Sequence, residues 1–492
     1  ELTGNNREEV IASFFWSTMV THHTYANGGN SNYEYCGAED KLNDRLSDNT
    51  SETCNTYNML KLTRHLFGLQ PEGKLNDYYE RALYNHILAS QNPGNGMMCY
   101  FVPLRMGARK QFSDEFNTFT CCVGTGMENH SKYAENIYSE GADSSLYLNL
   151  FIGSRLNWKT KKVKIDQETS FPETSSSLIT ISVTSPATFT LRVRHPAWAN
   201  TVTLEINGKK ITADESHGYL SINRTWKNGD RLKISLPMKL RTEPMPDNTD
   251  RLAILYGPLL MAGDLGTKMP DPVYGAPVLL TSTRNVADWV KPAGGPLDFR
   301  LLKVGKPEDV NLVPFYKIVD QYYSVYWDLF SQEAWSKRQL AYEEDKRKKL
   351  ALEQRTIDEL RLGEMQPERD HKLEATDQSY TEIALGRGGR EVRNGGYFSF
   401  TMKVLPDEGN VLQLSYLGDD RDRTFEILAD GTTIATGEMK GGPAGQFIDV
   451  EYPIPAGLTK GKSTIRITIQ ARPGKTAGRI FSPRILRVNN KH

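Results

Sequence analysis

The stretch "GMENHSKYAENIYSEGADSSLYLNLFIGS", residues 126–154, decides how the chain divides. On its left, apolar residues recur at helical spacing. On its right, they alternate. "REEVIASFFWSTMVTH" (7–22) places Val10, Ile11, Phe14, Phe15 and Met19 at helical spacing. "SETCNTYNMLKLTRHLFG" (51–68) gathers Tyr57, Met59, Leu60, Thr63, Leu66 and Phe67 on one side, with Ser51 as N-cap and Gly68 as stop. "KLNDYYERALYNHILAS" (74–90) predicts a third helix and "GMENHSKYAENIYSE" (126–140) a fourth. Each apolar stripe is expected to pack into a core.

From residue 146 the segments are short, β-branched and alternating, as in "ATFTLRVRHPAW" and "VTLEINGKKI". Asn207-Gly208 and Asn228-Gly229 are hairpin signals. Residues 146–330 therefore read as a β-sandwich with an extension, within which Trp198 is expected in the core. Residues 331–365 read as a charged connecting helix with many opposite-sign i,i+4 pairs. Strands return over 366–492, a second sandwich of the carbohydrate-binding-module sort. Its "GDDRDR" (418–423) has the acidic content of a calcium loop, but a solvated turn is expected.

The chain has 492 residues, too many for one core. Its 60 basic and 60 acidic residues cancel, which argues against nucleic-acid and membrane-surface partners. No apolar run is long enough to span a bilayer. The chain does not start with methionine and shows no secretory signal, so it reads as processed or truncated.

All five cysteines lie in the first quarter of the chain, which favours a metal or catalytic site over a disulfide framework. Cys54 opens one predicted helix, two residues after Glu52, and Cys121 and Cys122 stand just ahead of another. Helix N-termini favour thiolates. Three thiols and one carboxylate form an S₃O set of the kind that binds zinc. On the residues alone, a metal site, buried free thiols and a disulfide all stay open. Cys36 and Cys99 are expected to be small core side chains. Of the adjacent His22 and His23, at most one can face a pocket, and His23 is the candidate.

"GGNSNYEYCGAEDKL", "DNTSETCNTYNMLKLTRHLF", "YYERALYNHILASQNP", "GMMCYFVPL" and "FTCCVGTGMENHSKYAENIY" together resemble the β-L-arabinofuranosidases of glycoside hydrolase families 127 and 146. The resemblance is strong over the first 145 residues and looser beyond, where "PFYKIVDQYYSVYW" (314–327) looks closer to family 146. It implies a multidomain chain: the C-terminal part of an all-α (α/α)6 barrel over residues 1–145, then all-β sandwich domains. It implies zinc held by Glu52, Cys54, Cys121 and Cys122, with Cys121 as nucleophile. The acid/base glutamate falls on Glu34 in "NYEYC", with Glu39 as the fallback, and sugar-binding positions fall on Glu80 and Tyr100. The activity implied is retaining, exo-acting hydrolysis of L-arabinose-containing oligosaccharides from plant cell walls, in a periplasmic or extracellular setting. The rival expectation is a non-catalytic carbohydrate-binding protein with a structural zinc. Because the family's barrel begins further upstream, the N-terminal half of the barrel is the expected partner, in the same protein or a separate chain.

Overall fold

Four helices form where the apolar period is helical: α1 (Asn6–His22), α2 (Thr53–Leu69), α3 (Gly73–Ala82) and α4 (Cys121–Asn129). The computed structural model describes residues 6–268, 270, 278–384, 387–443 and 446–488. Helix α2 buries the predicted stripe of Tyr57, Met59, Leu60, Thr63, Leu66 and Phe67. Helix α3 runs on into a π-helical turn, Leu83–Ile87, that is buried throughout.

The expected all-α barrel portion is not what these residues form. Among the described residues the whole chain has eight α-helices against thirty-three strands. Only α2 and α3 are joined by a short link, residues 70–72; long, largely non-helical segments separate α1 from α2 and α3 from α4. The physical reason lies in where those segments put their apolar residues. Tyr25, Leu42, Leu46, Val102 and Leu104 share a core with Ala253, Leu255, Leu260 and Phe315, so they cover a β-sheet and not a neighbouring helix. The β part of the expectation fits. The fold class is therefore a mixed one in which sheets dominate.

Two local expectations also change. Four of the five residues of the predicted α1 stripe face outward: Val10, Ile11, Phe14 and Phe15 are exposed, while Met19 is buried together with Trp16. Trp16 Nε1 donates to Thr63 Oγ1 on α2 at 2.7 Å. Because α1 is apolar on both sides, its sequence period does not choose the buried one. The fourth helix ends at Asn129, well short of 140, because Tyr138–Glu140 pairs with Leu146–Leu148 as a strand.

The chain forms two compact units, residues 1–339 and 340–492. In the first, strands between Tyr138 and Ser235 build a five-stranded and a six-stranded sheet. Most residues of the separate eleven-stranded sheet come from Leu240–Phe330. That sheet reaches back to the helices. Ala108–Arg109 adds a short strand against Tyr322–Tyr323, Arg81 on α3 pairs with Glu243, and Tyr326 OH accepts from Ala26 N at 2.8 Å. Tyr323, Trp327 and Phe315 are fully buried there.

The second unit packs a six-stranded sheet and a five-stranded sheet around Phe398, Phe400, Phe425, Ile467 and Ile480, all fully buried. The charged helix Gln332–Arg355 has no buried residue and carries Lys337–Glu333 and Lys348–Glu344 pairs. It ends earlier than the sequence suggests because Thr356–Glu359 pairs with a strand. "GDDRDR" forms the expected turn, with Asp419, Arg421 and Asp422 exposed, but the Asp420 side chain is buried and paired with Arg479 at 2.7 Å and Arg423 at 3.2 Å. Two guanidinium groups stand where a cation would have to sit. No helix among the described residues is long and apolar enough to cross a membrane.

Candidate active site

Two loops and two helix starts converge on one place. Ser51 N donates to Ser31 O at 2.7 Å and Glu52 N to Ser31 Oγ at 3.1 Å. Thr53 N donates to Tyr100 O at 3.0 Å, and Val102 N to Ser51 O at 3.1 Å. These bonds stitch segment 31–35 and segment 99–102 to the start of α2. The glycine pair at 28–29 permits this approach. Gly28 has φ +91°, and a Cβ there would stand 2.6 Å from the Ala82 Cα.

Glu34 sits at the tip of a two-residue hairpin turn. Asn32 and Tyr35 exchange backbone bonds of 2.9 and 3.2 Å, while Tyr33 (φ 52°) and Glu34 (φ 69°) are both left-handed. That is a type I′ turn, whose centre usually holds Asn-Gly. Two bulky L-residues there cost about 1 kcal/mol or more each. Tyr33 N donating to Asn49 O at 2.9 Å helps hold the turn. Strain of this kind collects at functional sites.

The turn delivers the Glu34 carboxylate to the hydroxyl of Tyr100, which donates to Glu34 Oε1. The same hydroxyl oxygen lies 3.4 Å from Cys121 Sγ. One phenol thus joins the predicted acid/base to the predicted nucleophile. Burial raises the Tyr100 pKa, and its contacts with Cys121 and Glu34 raise it further, so the phenol stays protonated. Glu39 makes no such contact and lies near His23.

Beside Cys121, one donor atom each from Glu52, Cys54, Cys121 and Cys122 lie within 4.8 Å of one another. Cys122 Sγ is 3.1 Å from Cys54 Sγ, 4.0 Å from Cys121 Sγ and 3.7 Å from Glu52 Oε1. A tetrahedral ion with bonds of about 2.3 Å has edges of about 3.8 Å. The spacings bracket that value, and the donor chemistry suits a borderline-soft divalent ion, so the residues fit a metal. No other group of this kind occurs among the described residues. All five cysteines are free.

The Cys122 thiol donates to Cys54, which holds Cys54 down at about 6. The same bond pushes Cys122 well above the ordinary thiol range. Thr125 Oγ1, 3.0 Å from Cys54 Sγ, also lowers Cys54. Burial lifts Glu52 to about 7, with Cys54 and Glu34 adding to the effect. Burial likewise raises Cys121, against the Tyr100 hydroxyl. Cys122 is buried and Cys121 is exposed.

Two predicted residues do not join the group. Glu80 is 1 % exposed; Arg194 Nη2 donates to its Oε1 and Trp198 Nε1 to its Oε2, at 2.7 Å for the latter. Its carboxylate locks α3 to the middle sheets and meets no open pocket. This also accounts for Trp198, which is only partly buried and stacks on Phe171. His23 is buried against the Cys36 backbone, with Nδ1 lacking a hydrogen-bond partner, and burial lowers its pKa. Cys99 is buried and pushed up to about 12, as expected of an inert core thiol.

Sequence reasoning missed Thr125 and His86. Thr125 follows Cys121 by four residues, one helical turn, and that spacing was the available signal. His86, in the π-turn, is buried and meets Thr56 Oγ1 at 2.8 Å beneath the start of α2. No local pattern marks it. A shallow polar groove of about 800 Å³ lies elsewhere, between Glu168, Glu205, Arg231 and Lys233, and carries none of this chemistry.

Residues 1–135 match the family model of the β-L-arabinofuranosidase GH127 catalytic domain, and residues 145–238 match the GH127 middle domain. Over these two stretches the chain is similar to the GH127 β-L-arabinofuranosidases. The GH127 side of the resemblance to families 127 and 146 is the one these matches bear out. Residues 351–486 match a family of unknown function, DUF6805.

The chain is 24 % identical over 362 residues to a non-reducing end β-L-arabinofuranosidase of Bifidobacterium longum, covering 62 % of this chain and 53 % of that protein. The crystal structure of a GH127 β-L-arabinofuranosidase from Geobacillus stearothermophilus T6 aligns with TM-score 0.56 at 19 % identity, over 66 % of this chain and 57 % of that one. A second GH127 β-arabinofuranosidase structure aligns with TM-score 0.51 at 21 % identity, over 64 % and 55 %. The chain thus spans little more than half the length of these relatives, and the structural likenesses speak for the fold.

Proposed function

We propose that the protein containing this chain is a retaining, exo-acting β-L-arabinofuranosidase. Cys121 would be its nucleophile, Glu34 its acid/base, and L-arabinose-containing oligosaccharides of plant cell walls its substrates. The observation that carries this reading is the Tyr100 hydroxyl shared by the Glu34 carboxylate and the Cys121 thiol. A retaining glycosidase needs a nucleophile and an acid/base a few ångströms apart, flanking the anomeric carbon. Here a thiol takes the place of one carboxylate.

Glu34 protonates the departing glycosidic oxygen while Cys121 Sγ bonds to the anomeric carbon. Glu34, now a carboxylate, takes a proton from water, whose oxygen attacks the same carbon as the C–S bond breaks. Tyr100 keeps the two side chains in register through both steps. Glu52, Cys54, Cys121 and Cys122 would hold zinc, which when bound keeps thiols ionised and eases the release of sulfur. Buried Cys122 and hydrogen-bonded Cys54 anchor the set, and Cys121 is its exposed member. A non-catalytic sugar-binding protein would have no use for an exposed thiol tied to a carboxylate. The same reading carries the proposal of a periplasmic or extracellular setting.

The test uses the intact protein and an aryl β-L-arabinofuranoside. Cys121→Ser is expected to lose about 10³-fold or more in kcat, and Glu34→Gln about 10²- to 10⁴-fold. A sugar adduct on Cys121 in the mass spectrum supports the reading. Full activity in both variants sinks it.

A further inference from the structure

Cys54 has a partner that is not itself one of the four donors. Thr125 Oγ1 lies 3.0 Å from its sulfur, and Cys54 is the one partner that the described residues give this hydroxyl. A helical threonine can otherwise give its proton to a carbonyl one turn back. Thr125 stands in α4 one turn after Cys121, so the helix face that supplies the predicted nucleophile also supplies this hydroxyl. Gly126 lets α4 lie close to the segment that carries Tyr100: a Cβ there would stand 1.6 Å from Met98 Sδ.

The other hydrogen bonds among the sulfurs all use a thiol proton. Cys121 donates to Tyr100, Cys122 donates to Cys54 and Glu52, and one thiol proton lies between Cys121 and Cys122. A bound divalent ion displaces these protons. The Tyr100 hydroxyl does not replace them, because it donates to Glu34 Oε1. A metal-bound Cys54 has no proton to give, so its bond with Thr125 runs one way, from hydroxyl to sulfur. Among the described residues it is the one side-chain hydrogen bond to a sulfur of the set that outlasts the thiol protons.

Such a bond draws off part of the sulfur's charge and fixes where the sulfur sits. Partners of a metal ligand hold that ligand in place and tune the ion it binds. The proposed reaction needs this asymmetry, since one sulfur must turn to the sugar while the others stay.

We propose that Thr125 is a positioning residue whose hydroxyl holds the Cys54 sulfur on the metal while Cys121 reacts. The proposal rests on the four-donor metal site of the reading above.

The experiment uses the intact protein, stripped of metal and reloaded with cobalt(II), whose sulfur-to-metal charge-transfer band reports on the sulfurs directly. Thr125→Val keeps the side chain's shape and removes the hydroxyl, and Thr125→Ser keeps the hydroxyl. In Thr125→Val the affinity for cobalt(II), measured by chelator competition, is expected to fall about tenfold or more. Its band should move to longer wavelength, because a sulfur without its hydrogen bond gives up charge more easily. Thr125→Ser should stay within about twofold of the parent affinity and keep the parent band. Parent-like affinity and band in Thr125→Val overturn the proposal. A lower affinity with an unmoved band, or an equal loss in Thr125→Ser, also overturns it, since packing alone would then account for the change. Failure of the four-donor site itself would show differently, as a parent protein with no cobalt–sulfur band, and the proposal would fall with it.

Discussion

Glu80→Gln tests whether the Glu80 carboxylate binds sugar or locks the fold. Glu80 and Arg194 are both buried, and Arg194 also bonds Asp77 Oδ1 at 2.7 Å and the Asn149 carbonyl at 2.6 Å. Burial works against the Arg194 charge, but Glu80 and Asp77 outweigh it and hold its pKa above the ordinary value. Removing one partner of a buried pair costs about 3–5 kcal/mol. Because Asp77 and the Asn149 carbonyl stay in place, the low end applies, about 3 kcal/mol. At roughly 2 °C per kcal/mol for a unit of this size, the melting temperature should fall by about 6 °C. The assay is thermal unfolding of the intact protein by circular dichroism, alongside KM for an arabinofuranoside. Arg194→Met should cost as much or more, and the Glu80→Gln/Arg194→Met double variant less than the sum of the two. A Glu80→Gln protein that melts within a degree of the parent yet shows a raised KM refutes the lock and restores Glu80 to the sugar.

Three further outcomes are expected. The intact protein should carry one equivalent of divalent metal by elemental analysis, falling below about a tenth in Cys54→Ala/Cys122→Ala; a full equivalent in that variant refutes the four-donor site. Gly28→Ala should destabilise by at least about 2 kcal/mol, because it combines a positive φ with a clash against the Ala82 backbone. Gly208→Ala, with φ +80° and open space around it, should cost less in the same denaturant titration. In the second unit, His371 Nε2 faces Asp358 Oδ1 at 3.3 Å and Nδ1 faces the Pro367 carbonyl at 2.7 Å, so both ring nitrogens suit donors. Burial lowers the His371 pKa, but Asp358 and that carbonyl outweigh it and leave it above 6.5. Its contribution is thus complete below 6.5 and lost as pH rises through the raised value. Asp358 is held below 3.8, so its share is lost only as pH falls through that lower value. Hydrogen exchange over residues 356–403, corrected for intrinsic rates, should be slower at pH 6 than at pH 8; His371→Asn should erase the difference, and a persisting difference refutes the assignment.

What was legible along the chain was whatever depends on near neighbours. Alternation from residue 146 onward announced the sheets because a strand's period is two residues and local. Glu52, Cys54, Cys121 and Cys122 could be picked out because each pair sits in a short motif at a helix start. The resemblance to arabinofuranosidases, rather than any spacing, separated Glu34 from the chain's other glutamates.

Tertiary structure decided the rest, because the deciding partners are far away in sequence. An all-α barrel was expected from the early helical period, but Tyr25, Leu42 and Val102 pack on a sheet built mostly from residues 240–330. The exposed side of α1 was chosen by Thr63 on α2 and not by its own apolar pattern. Asp420 belongs to arginines 3 and 59 residues away. Tyr100 joins Glu34 to Cys121 across 66 and 21 residues of chain. The sequence by itself named the chemical groups of the candidate site; only the folded chain, with Tyr33 and Glu34 in a left-handed turn, brought one carboxylate and that thiol to the same phenol.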